Sequence, residues 1–105
     1  MTQYIWNVVE DGDTYYLVLR KGLYEVTRTY AFSKEELLEK PLDIMKRVGS
    51  SLIELGADWD EQAGVLMMML SYYLDSAKNV DINVVKEYVY NVLLCLLRLQ
   101  DNKEK

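Results

Sequence analysis

An α+β fold is predicted by three features of the chain. Two Gly-containing turns separate alternating apolar segments over residues 4–30, a proline-led amphipathic stretch follows a capping signature at Ser33, and two long apolar segments lie between Glu61 and Leu99. The expected architecture is an N-terminal three-stranded antiparallel meander followed by one short and three longer α-helices, the last two forming an apolar helical hairpin. In this reading the 105 residues make a single domain, with the sheet over 4–30, the helical part over 33–99 and a polar tail at 100–105 that should fray.

The register of the meander follows from its turns. Glu10-Asp11-Gly12-Asp13 and Arg20-Lys21-Gly22-Leu23 each offer a two-residue loop ending in glycine, at Asp11-Gly12 and Lys21-Gly22. That placement sets Trp6 opposite Leu17 and Leu17 opposite Val26. One face then collects Tyr4, Trp6, Val8, Tyr15, Leu17, Leu19, Tyr24, Val26 and Tyr30, interrupted only by Arg28. The other, from Ile5 and Asn7 through Tyr16, Val18 and Arg20 to Glu25, Thr27 and Thr29, is half-polar and reads as solvated. An unpaired charge on the apolar face would be costly, so the Arg28 stem is expected to pack on tyrosine rings while its guanidinium finds a carboxylate or the sheet edge.

Helix boundaries are marked as plainly. Ser33-Lys34-Glu35-Glu36 is a capping box, with Phe32 positioned to staple onto Leu37. Pro41 ends this short helix near Lys40 and opens the next. From Pro41 to Leu55 the stretch is amphipathic, with Ile44, Met45, Val48, Leu52 and Leu55 inward, and Gly56 is the stop in the left-handed cap position. Asp58 or Asp60 caps the third helix, Glu61 to Ala77, and Asp81 caps the last.

The final helix carries more apolar surface than one packed layer uses. Stepping about 100° per residue, Val85, Val89, Val92, Leu96 and Leu99 form one stripe and Tyr90, Leu93, Leu94 and Leu97 another. Glu87, Asn91 and Arg98 are left as its polar strip. The preceding helix has a main stripe at Ala63, Leu66, Leu70, Tyr73, Leu74 and Ala77, and a second patch at Val65, Met68 and Tyr72. Surplus apolar surface of this kind marks contact sites. Val65, Met68, Tyr72, Tyr90, Leu93, Leu94 and Leu97 are therefore the expected interaction surface, and Trp59, between acids at the helix junction, is a candidate contact anchor.

Composition excludes several function classes. There is no His, which removes the commonest general base, the usual metal ligand and every Ser-His or Cys-His arrangement. The lone Cys95, within Leu93-Leu94-Cys95-Leu96-Leu97, reads as a small buried hydrophobe. Glu10, Asp11 and Asp13 fit hairpin-turn chemistry better than a cation loop, and Asp58, Asp60 and Glu61 fit helix capping. The glycines are scattered singly, without a phosphate loop. No apolar run spans a bilayer and no signal-peptide pattern opens the chain, so an intracellular, cytoplasmic setting is expected.

The net charge of −5 arises from 17 acids interspersed with 12 bases, without the basic face that nucleic acid requires. The nine tyrosines fall mostly on predicted core stripes, which speaks for packing over base stacking. The expectation is a non-enzymatic interaction, regulatory or inhibitor protein without cofactor or metal. It would bind another protein and form a homodimer through the C-terminal helical hairpin. The alternative is a nucleic-acid-binding regulator, and a weaker variant of that is an acidic nucleic-acid mimic.

Overall fold

A computed structural model describes residues 3–104, with side chains from 3 to 97. Strands β1 (Tyr4–Asp11), β2 (Thr14–Lys21) and β3 (Tyr24–Ser33) form an antiparallel sheet in the order β1-β2-β3. Helices α1 (Lys34–Glu39), α2 (Pro41–Glu54), α3 (Trp59–Ser76) and α4 (Ile82–Glu104) follow, and α3 packs on both β1 and α4. This is the expected α+β layout. The backbone of α4 continues to Glu104, past the expected end at Leu99. The side chains of Arg98 and Leu99 lie outside the described residues.

Both hairpins turn one residue later than the glycines suggested. The loops are Gly12-Asp13 and Gly22-Leu23, between the pairs Asp11 with Thr14 and Lys21 with Tyr24. Gly12 and Gly22 have φ of 64° and 62°, and no described non-glycine residue has a positive φ. Glycine thus holds the first loop position, as in a type II′ turn, where the sequence had suggested the second. Trp6 consequently faces Leu19, and Leu17 faces Val8. A shift of two residues keeps side-chain parity, so β1 and β2 present the expected faces.

The third strand departs from expectation. Irregularities in its pairing with β2 leave Val26 and Ala31 as extra residues, and each such bulge inverts the faces beyond it. Thr27 and Thr29 therefore lie opposite Leu19 and Leu17, whereas Arg28 lies opposite Val18 on the outer face. Val26 and Tyr30 are exposed, not part of the apolar face. After Ala31, Phe32 returns to the inner face beside Tyr15, with ring centroids 4.8 Å apart. Arg28 lies over the Tyr16 ring, 4.9 Å from its centroid, and its guanidinium pairs with Glu25 at 2.8 Å and Asp11 at 3.1 Å. The bulge spares the core this charge. The outer face is not simply solvated either, because Val18, between Asn7 and Arg28, is fully buried.

Capping chemistry sets the helices. Ser33 Oγ accepts from the Glu36 N–H at 3.1 Å while Glu36 Oε1 accepts from the Ser33 N–H at 3.0 Å, the reciprocal box that starts α1. Pro41 opens α2. At its end Gly56 has φ 82°, with Gly56 N–H donating to Ile53 O (3.1 Å) and Ala57 N–H to Leu52 O (2.9 Å), the Schellman pattern. Asp58 caps α3 in a second box with Glu61, so α3 begins at Trp59, two residues before the expected start. Asp81 Oδ1 accepts from the Asn83 N–H at 2.9 Å at the head of α4.

The core lies between the sheet's inner face and the helices. Val8, Tyr15, Leu17 and Phe32 meet Leu37 of α1, Ile44, Met45, Val48 and Leu52 of α2, Val65, Leu66, Met69 and Tyr73 of α3, and Tyr88 and Val92 of α4. These side chains draw on every element, so the sheet and helices form one apolar unit. Among the described residues no helix is long and apolar enough to cross a membrane.

Candidate interaction surfaces

The orientation of α4 decides which of its apolar residues are surplus. Tyr88 and Val92 are buried, and Val84, Val85 and Cys95 pack against the core. Tyr88 sits four residues after Val84 and four before Val92, so the three share one face of the helix, turned inward. The opposite face carries Ile82, Val89, Tyr90, Leu93, Leu96 and Leu97, all exposed. Val89 and Leu96 therefore lie outside the core stripe in which the sequence placed them. Of the expected surface residues on α4, Tyr90 (62% exposed), Leu93 (51%) and Leu97 (55%) are open, whereas Leu94 is half-buried.

The expected patch on α3 is not a free surface. Val65 is buried to 2% exposure, and Met68 and Tyr72 are half-buried against the core. The Tyr72 ring lies 4.7 Å from that of Tyr15. The reason is the packing of α3 along β1, which covers this side of the helix within the same chain. Trp59 is half-buried as well. It lines a shallow groove between α2, α3 and α4 together with Met45, Gly49, Gln62, Leu94 and Cys95, so it is built into a helix junction and does not project as an anchor.

A larger groove, of about 630 Å³, lies between β1 and α3. Tyr4, Ile5, Trp6, Val65, Met67 and Met68 form its apolar walls, Gly64 leaves its middle open, and Asp58, Asp60 and Glu61 stand at the start of the helix. Glu61 ties the walls together: Oε2 accepts from the Trp6 N–H at 2.6 Å and Oε1 from the Asp58 N–H at 3.3 Å. Sequence reasoning assigned Asp58 and Glu61 correctly to capping and missed the groove. Its available signal was Gly64, a poor helix former within an otherwise apolar helix.

Burial raises the tyrosines of the interior. It pushes the Tyr88 hydroxyl well above the usual phenol range, and that hydroxyl has no hydrogen-bond partner among the described residues. Tyr15 is raised by burial and by donating to Glu10 Oε2 at 2.8 Å, and Tyr72 chiefly by burial. Half-buried Glu36 is held low, first by the Tyr30 hydroxyl and then by the Ser33 N–H. Among the described residues no three carboxylate or thiol side chains converge to hold a metal ion. Comparison of the chain with protein-family models, with curated proteins and with solved structures finds no match.

Proposed function

We propose that this chain is a non-enzymatic protein-interaction module that pairs with a second copy of itself through the outer face of α4 and acts by binding another protein. The observation that carries this reading is the exposed apolar seam on α4. Ile82, Val89 and Leu96 recur every seventh residue, with Lys86 and Leu93 at the intervening fourth positions and Tyr90 and Leu97 alongside. That alternation of four and three is the spacing by which two helices interlock side chains. An identical helix supplies the same spacing, as a two-fold interface requires. From Ile82 to Leu97 the seam runs about 22 Å at 1.5 Å per residue, an exposed and largely apolar strip interrupted by Lys86, and clustered exposed apolar surface of this kind marks contact sites.

Sedimentation at micromolar concentration tests the pairing. The parent should run at about twice its 12.3 kDa chain mass. Leu93→Glu should run as a monomer with an unchanged circular dichroism spectrum. A strictly monomeric parent would refute the dimer.

A further inference from the structure

We infer that the groove between β1 and α3 is a docking site for a segment of a partner protein that carries a Lys or Arg beside a large apolar side chain. This rests on the interaction reading above and gives the partner a chemistry. Two features of the groove select that occupant. Its walls are apolar, with Trp6, Val65 and Met68 forming the deeper part and Tyr4, Ile5 and Met67 the exposed part. At one end stand Asp58, Asp60 and Glu61, and no Lys or Arg lines the groove. The ion pairs among the described residues lie at Arg28 and Arg47, so these three carboxylates have no cationic partner there. A base on the incoming segment supplies what the site lacks.

The backbone of β1 narrows the mode of recognition. As an edge strand it would ordinarily invite another strand to pair with it. Here the Trp6 N–H is taken by Glu61 and the Val8 N–H by Asn7 Oδ1 at 2.8 Å. With these two donors at the centre of the edge engaged, the side chains of the groove and not strand addition carry the proposed contact. Methionines 67 and 68 offer adaptable, polarisable walls for a large apolar group. At Gly64 an added Cβ would meet nothing within 4 Å, so the middle of the groove is open. Asp58 to Met68 covers about 15 Å of helix, room for roughly four or five extended residues.

The test titrates the isotopically labelled full chain at low salt with short synthetic peptides. One set carries Lys or Arg beside Leu, Met or Trp, and a matched set has Glu at the basic positions. The basic set should shift the backbone amides of residues 4–7 and 58–68 saturably, the Glu set should not, and added salt should weaken the binding. Asp60→Lys, at an exposed residue outside the capping box, should weaken it roughly three- to tenfold. Gly64→Leu should block the groove while the fold, read by circular dichroism, persists. Equal binding of the Glu set, shifts confined to other residues, or no binding of any basic peptide would overturn the proposal. The two readings separate cleanly, because monomeric Leu93→Glu should still bind the basic set. A dimeric parent that ignores the peptides refutes the groove alone, and a monomeric parent that binds them refutes the pairing alone.

Discussion

The Trp6 N–H donates to Glu61 Oε2 at 2.6 Å, joining residues 55 apart in sequence and tying the edge of the sheet to the first turn of α3. The same carboxylate accepts from the Asp58 N–H, so one side chain serves a strand edge and a helix cap. Charged acceptors make the stronger hydrogen bonds.

Glu61→Ala is expected to lower unfolding stability by about 1–3 kcal/mol, through an unsatisfied edge donor and a weakened cap. Glu61→Gln, which keeps an acceptor, should lose less. Urea denaturation checks this, with a lower midpoint and an unchanged slope.

Val65 and Leu93 have opposite fates although both read as surface candidates. Val65 is in the core and Leu93 is half exposed. Val65→Asp should bury an unpaired charge and cost several kcal/mol, enough to unfold a domain whose total stability is about 5–15 kcal/mol. Leu93→Glu should retain full helical dichroism. A folded Val65→Asp chain would contradict the packing of α3 on β1.

Tyr88→Phe removes a buried hydroxyl that has no partner among the described residues and leaves the ring in place. Deleting an unsatisfied polar group while keeping shape is neutral to stabilising, by up to about 1–3 kcal/mol. Thermal unfolding of the variant should occur at or above the parent's midpoint.

Alkaline pH should destabilise the fold. Tyr15, Tyr72 and Tyr88 are all raised, chiefly by burial, so the folded state holds these protons more tightly than the unfolded chain does. Their contribution is complete below the ordinary tyrosine value of about 10 and is lost as pH rises above it. Tyrosinate absorbance should report a fraction of rings that ionise only together with the loss of helical dichroism. Tyr88→Phe should move that transition to higher pH.

Gly49→Ala should stabilise the chain. An added Cβ there meets nothing within 4 Å, and glycine inside a helix costs roughly 0.5–1 kcal/mol relative to alanine. The melting midpoint should rise by roughly 2–8 °C. A fall would show that the groove between α2, α3 and α4 closes on this position.

The features legible in the sequence are local. The Ser33-Glu36 box, Pro41 at a helix start, Gly56 at a stop and Asp81 as a cap are contacts between residues a few positions apart, and each is found where the residues place it, while of Asp58 and Asp60, both legible as caps, the structure selects Asp58. The apolar parity of β1 and β2 was legible for the same reason, since even a two-residue change in the turn preserves it. The remaining features depend on long-range packing. The bulges at Val26 and Ala31 turn Arg28 outward and bring Phe32 back inside, and no local signal in β3 marks them, because a bulge answers the packing of the strand on its neighbours. The rotation of α4 chooses between two nearly equal apolar stripes, and the packing of α3 and α2 against the helix buries the line through Val84, Tyr88 and Val92 and leaves Val89 and Leu96 outside. Likewise Val65, Met68 and Tyr72 form a surplus patch on an isolated helix, and it is the laying of β1 against α3 that covers them and opens the groove beside them. Periodicity says which residues share a face, but the partner that meets the face is set by contacts between residues far apart in the chain.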